Sequence, residues 1–167
     1  MKKYELTKET KTLADGTVLH RIRALRDIPM YGVKYGDLGG FVEGENNLSQ
    51  CCNAWVSDDA KVFGNAWVCG NAWVRGNALV YGDAKVSGDA LVSGNADYMV
   101  IKNIWSSGRW FTYTRSNKKW KVGCFYGTGE ELIKKAYKDS ELSGKCYEAI
   151  VRAVETIEAA KAEAKGV

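Results

Sequence analysis

From Asn53 the chain repeats itself every six residues: NAWVSD, DAKVFG, NAWVCG, NAWVRG, NALVYG, DAKVSG, DALVSG, NADYMV. A six-residue period fits no α-helix. The alternation Ala-x-Val-x instead has the period of two that belongs to an extended strand. Each hexad is therefore a short strand, with Ala and Val on one side and the residues flanking Val on the other. The Gly-Asn or Gly-Asp pair between hexads marks a corner, because glycine and asparagine tolerate a positive φ most cheaply. Short strands joined by corners and stacked coil upon coil predict a parallel β-helix.

The pattern resembles the hexapeptide repeat of left-handed parallel β-helices, in which three hexads complete a triangular coil. Eight consecutive hexads carry the resemblance, roughly a third of the chain. With three hexads to a coil, residues 18 apart stack in columns. Before Val these columns read Trp55, Trp73 and Leu91; then Lys61, Leu79 and Asp97; then Trp67 and Lys85. After Val they read Ser57, Arg75 and Ser93; then Phe63, Tyr81 and Met99; then Cys69 and Ser87. Columns of outward aromatics exceed the ~300–600 Å² apolar patch of an ordinary monomer. Trp55, Trp73, Leu91, Phe63, Tyr81 and Met99 are accordingly expected to form the interface of a homo-oligomer, a trimer by analogy with other left-handed β-helices. Cover by the chain's own termini is the other reading.

The flanks have a different grammar. Residues 1–36 read as an N-terminal hairpin and cap, with Asp15-Gly16 turning between two strand-like runs. Residues 37–100 are assigned to the β-helix, beginning with an irregular coil whose core residues are Leu38, Val42 and Leu48. Residues 101–167 read as a small α+β module of three strands, about 98–105, 109–115 and 119–125, and two helices. Thr128 and Glu131 have the spacing of a capping box. Tyr147, Ile150, Val154 and Ile157 form one apolar stripe on a helix over about 143–163. The expected fold class is mainly β: a left-handed parallel β-helix, a hairpin cap and this module.

Four stretches together carry a second resemblance: the opening around "DGTVLHRIRALRD", "GDLGGFVEGENNLS", the hexads, and "GCFYGTGEELIKKAYKDSE". They are similar to a family of phage and prophage hexapeptide-repeat proteins. The resemblance implies a phage origin and the left-handed β-helix, and it carries over no catalytic residue.

Composition narrows the chemistry. No apolar run approaches the ~18 residues of a membrane span, and Met1-Lys2-Lys3 leads into polar residues rather than a signal peptide. A cytoplasmic protein is expected, acting in the host cell. Cys51, Cys52, Cys69, Cys124 and Cys146 are scattered and, with one histidine, compose no usual zinc set; they read as reduced, structural residues, and no metal or cofactor is expected. The lone His20 lies outside the hexads, so it is poorly placed as the general base of a hexapeptide-repeat acyltransferase. Glu130 and Glu131 already compensate the helix start at Thr128, which disfavours an anion site there.

The charge is uneven. Residues 101–127 hold six Lys or Arg and no acid, within a chain of net charge +4. Alternation there predicts Arg109, Phe111, Tyr113 and Arg115 on one face, and Lys119 and Lys121 on one face of the next strand. Cations interleaved with aromatics suit phosphates and stacked bases. Arg109, Tyr113, Arg115, Lys119 and Lys121 are the expected ligand-binding residues, for a small anionic nucleotide rather than sequence-specific DNA. The functional expectation is a non-enzymatic phage protein acting by binding, most of all in counter-defence by sequestering a host nucleotide immune signal. The alternatives are a protein-binding inhibitor of a host defence enzyme, a virion structural part and an acyltransferase.

Overall fold

The computed structural model describes Lys2–Lys165. Strands β1 (Tyr4–Thr12) and β2 (Val18–Ala24) form an antiparallel hairpin, turned at Gly16 with φ +88°. Strand β3 (Leu38–Val42) pairs antiparallel with β2. Seven hexads then give seven strands of two residues each: β4 (Trp55–Val56), β5 (Lys61–Val62), β6 (Trp67–Val68), β7 (Trp73–Val74), β8 (Leu79–Val80), β9 (Lys85–Val86) and β10 (Leu91–Val92). Strands β11 (Tyr98–Lys102), β12 (Trp110–Thr114), β13 (Lys119–Val122) and β14 (Phe125–Gly127) form an antiparallel meander. Helices α1 (Gly129–Asp139) and α2 (Glu141–Lys165) follow.

The hexad strands pair in parallel with the strand 18 residues on, Trp55 with Trp73 and Leu91, Lys61 with Leu79, and Trp67 with Lys85. Every Ala and Val of these seven hexads is buried. The corners are left-handed, with φ between +63° and +68° at Gly64, Gly70, Gly76, Gly82 and Gly88. Asp58 and Cys52 occupy the same corner position at φ +57°, so the conformation is imposed by pairing and not by glycine alone. Asn and Asp at the start of the hexads bond to one another along the columns: Asn53 to Asn71 at 3.1 Å, Asn71 to Asp89 at 3.1 Å, Asn65 to Asp83 at 3.3 Å.

The expected fold class is corrected by this topology. The described residues hold fourteen strands in four small sheets, ordered β1-β2-β3-β5-β8, β10-β7-β4, β6-β9 and β11-β12-β13-β14. One sheet is of mixed direction and one is wholly antiparallel, and none contains more than three parallel strands. A ladder two residues wide ends as soon as a longer antiparallel neighbour takes its edge, as β2 does at β3. The architecture is a set of small mixed sheets with two helices, not a left-handed parallel β-helix with separate modules. The C-terminal segment has four strands rather than three. Its helices are not a unit of their own: Leu132, Ile133, Tyr147, Val151 and Val154 share one core with Phe111, Tyr113, Trp120 and Val122 of the sheet.

Parallel pairing is polar. Trp55, Lys61, Trp67 and Trp73 donate their N–H groups to Ala72, Ala78, Ala84 and Ala90. The same rule leaves carbonyls without partners at the first turn of hexads and N–H groups without partners at the last. Both sets are satisfied by side chains. Lys3 Nζ donates to the Ala54 carbonyl at 2.5 Å, and Tyr4 Oη donates to the Leu48 carbonyl at 2.7 Å. At the other end Asn95 Oδ1 accepts from Leu79 N at 2.8 Å, Thr112 Oγ1 from Lys85 N at 2.9 Å, and Ser116 Oγ from Leu91 N at 2.8 Å. Asp97 Oδ2 accepts from Ser93 N at 2.8 Å.

Two outcomes test these caps. Thr112→Val keeps the shape of a buried side chain but leaves the Lys85 N–H unpaired; it should destabilise by about 1–3 kcal/mol and speed hydrogen exchange at the Lys85 amide. Lys3 is fully buried, and burial first, then the Arg26 charge, lowers its pKa from 10.5 to about 8. Between those two values the unfolded chain binds the proton and the folded chain has released it, so the stability linked to Lys3 rises with pH across that window. Urea unfolding at pH 7 and pH 10 should show this rise for the native chain relative to Lys3→Met.

Candidate ligand-binding site

The pairing register of the C-terminal sheet decides which side chains share a face. Tyr113 pairs with Trp120 and Phe111 with Val122, while Thr112 pairs with Lys121 and Thr114 with Lys119. The Phe111, Tyr113, Trp120 and Val122 face is covered by α1 and α2. The Thr112 face turns to the hexads, where Thr112 takes the Lys85 N–H. Tyr126 lies on the same face, opposite Lys121 in β14. Its phenol lies over Gly88, where a side chain would collide with it.

Between the covered face and the second half of α2 lies a cleft of about 560 Å³. Tyr113 and Trp120 form its floor, Arg115 and Lys118 its sheet edge, Glu155, Glu158 and Lys161 its helix wall, and Gly129 its end. Gly129 is held without a side chain by Val151, whose Cγ1 would lie 2.5 Å from an added Cβ. It opens α1, so the positive end of that helix faces the cleft. The two acids there are already engaged: Glu131 Oε2 accepts from Thr128 N at 2.7 Å, closing the capping box, and Glu130 pairs with Arg152 at 2.5 Å. The bond from Thr128 holds the Glu131 carboxyl below its ordinary pKa.

Arg115 Nε donates to Glu158 Oε1 at 2.6 Å, with about a quarter of each side chain exposed. Burial first, and the Glu158 charge second, push the Tyr113 phenol up. The cleft thus presents Arg115, Lys118 and Lys161 as cations, with one carboxylate already seated on the arginine. An anion entering from solvent meets a helix start, two lysines and a guanidinium whose partner it can displace.

The five expected ligand residues do not form one surface. Tyr113 and Arg115 reach this cleft. Lys119 and Lys121 project on the opposite face, because the β12–β13 register sets them beside Thr114 and Thr112. Arg109 precedes β12, where its carbonyl accepts from Asn103 N, and its side chain reaches Gly123. Lys118, Trp120, Glu158 and Lys161 complete the cleft and were not among the residues singled out. Their signal lies on α2, where Glu155, Glu158 and Lys161 recur every third residue beside the apolar stripe.

The expected interface residues also divide. Trp55 is buried within its own chain, against Gly39 and Ile22. Added to Gly39, a Cβ would lie 2.6 Å from Ile22 Cγ1 and 2.8 Å from the Trp55 ring, which accounts for the glycine. Trp73 is half-buried, stacked under Tyr31 at 4.8 Å, and donates to Ser57 Oγ at 3.0 Å. This column is covered from within, which removes it as the ground for a trimer. Leu91 is half-buried, and its N–H is capped by Ser116. Met99 packs against the core of the C-terminal sheet and so turns away from the Phe63–Tyr81 column. Phe63 and Tyr81 do stack, at 5.3 Å and 8°, with Tyr81 exposed.

All five cysteines are free, and Cys51, Cys52 and Cys124 are exposed rather than structural. His20 sits half-buried in the hairpin with Nδ1 3.4 Å from the Thr7 carbonyl, remote from the cleft in the fold. Among the described residues no helix is long and apolar enough to cross a membrane. No protein-family model matches the chain, and no curated protein matches it in sequence.

Glu158 is the resident counter-ion of Arg115, and its removal frees the arginine. Glu158→Gln should therefore tighten binding of inorganic pyrophosphate in calorimetric titration, whereas Arg115→Ala should weaken it. Added salt should weaken both, because the contacts are partly exposed.

Proposed function

We propose that the protein acts by binding, holding a small anionic nucleotide in the cleft between the C-terminal sheet and α2. The observation that carries this reading is the meeting of Arg115, Lys118, Lys161 and the start of α1 around a floor of Tyr113 and Trp120. Phosphate oxygens suit the guanidinium and the helix start, and the aromatic floor offers apolar contact to a base. The resemblance to phage and prophage proteins supports a setting for such binding: counter-defence in the host cytoplasm, by withholding a nucleotide immune signal from its receptor.

The test is direct. The pure protein is incubated with a nucleotide extract of infected cells, re-isolated and heated, and the released compounds are identified by mass. Enrichment of one nucleotide, lost in Arg115→Ala, is the expected result. No enrichment overturns the reading.

A second reading, an inhibitor that docks on a host defence protein, is favoured by a different region. Ile104, Trp105 and Leu142 are exposed beside an apolar groove of about 350 Å³ lined by Ile101, Cys146 and Ala149. Trp105→Ser would abolish activity in an infection assay under that reading and leave it intact under the first.

A further inference from the structure

A second cleft, of about 380 Å³, opens where the last hexads meet the C-terminal sheet, lined by Tyr81, Asp83, Asn95, Tyr98, Val100 and Trp110. Its rings are held in place. Tyr81 is stacked on Phe63, and the Tyr98 phenol donates to the Leu79 carbonyl at 2.9 Å. Trp110 begins β12, paired with Lys102 of β11. Asn95 is fixed by the Leu79 N–H on its Oδ1. Asp83 is held by the Asn65 amide at 3.3 Å and forms no salt bridge among the described residues.

This chemistry selects the ligand. No Lys or Arg lines the cleft, and Asp83 repels an anion, so it does not serve the phosphates of the nucleotide reading. An apolar ligand would desolvate the carboxylate without compensation. A cation is drawn by both components, the negative faces of the rings and the carboxylate. Elsewhere the chain fills such places from within: Lys11 and Arg21 lie over Phe41, Arg75 over Trp73 and Lys102 over Trp110, at 4.2–5.2 Å from the ring centroids. The Phe63–Tyr81 pair has no internal cation, and it stands beside an acid with no ion pair. Among cations, a guanidinium is planar enough to stack on a tyrosine while donating two parallel N–H bonds to a carboxylate. The lining offers no positive group for the α-carboxylate of free arginine, which favours arginine in peptide linkage.

We propose that the Tyr81–Asp83–Tyr98–Trp110 cleft is a recognition site for an arginine side chain of a polypeptide partner. This goes beyond the nucleotide reading and is independent of it.

The experiment is an NMR titration of the full chain, followed at the Trp110 indole N–H. The probes are N-acetyl-arginine methylamide, its lysine and citrulline counterparts, and free arginine. The blocked arginine should give a saturable shift and the neutral citrulline none at equal concentration. Lysine and free arginine should bind more weakly. Asp83→Asn, which keeps the shape and an acceptor for Asn65, should weaken arginine binding about tenfold or more with the remaining amide spectrum unchanged. Equal shifts from citrulline and arginine would overturn the proposal, as would tighter binding of free arginine or full affinity in Asp83→Asn. Tyr81→Leu provides a second variant, expected to lose affinity through the ring alone; unaltered binding there would also overturn it.

Discussion

A strand paired in parallel has a direction that its hydrogen bonds cannot hide. Each hexad donates forward to the next turn and accepts from the one before, so a finite stack ends in bare carbonyls on one side and bare N–H groups on the other. An unpaired backbone group buried away from water costs about as much as a lost hydrogen bond. The parts that flank the hexads answer that demand by sign. The N-terminal segment brings donors, the Lys3 ammonium and the Tyr4 phenol, to the carbonyls of Ala54 and Leu48. The C-terminal segment brings acceptors, Asn95, Thr112 and Ser116, to the N–H groups of Leu79, Lys85 and Leu91. The position of the C-terminal sheet follows from this, and with it the position of both clefts.

The local grammar was legible in the sequence. The inward Ala and Val, the corner at each glycine, the Asp15-Gly16 hairpin and the Thr128–Glu131 box all depend on residues within a few positions of one another. What depended on distant pairing was not legible. The repeat suggested a continuous β-helix, but two-residue strands leave most of each hexad as corner, and β2, β3 and the meander take the remaining edges. Trp55 looked outward by alternation; only the approach of Gly39 and Ile22 from the N-terminal segment buries it. The candidate site failed in a similar way. Alternation is fixed within a strand, but the phase between β12 and β13 is fixed by the turn at 116–118, and that phase sends Lys119 and Lys121 to the far face from Tyr113.

Charge counting had the same weakness. A run of six cations without an acid between residues 101 and 127 suggested a free positive surface. In the fold Arg115 meets Glu158, 43 residues later, and Lys102 lies over Trp110. The field at a site is set by groups the sequence places far apart. What remains available in the nucleotide cleft is less than the run promised, Lys118, Lys161 and an arginine whose partner can be exchanged.

The spacing of the end caps has a consequence for how such a chain can change length. Asn95, Thr112 and Ser116 meet three different strands, β8, β9 and β10, one in each column of the repeat. An insertion of six residues would advance every column by one and bring each cap to the wrong strand. An insertion of 18 residues, the spacing at which strands pair, would return the same three columns to the same three acceptors. Lengthening by duplication is thus quantised: the fold accommodates whole turns and rejects single hexads, although each hexad alone looks like the unit of repetition.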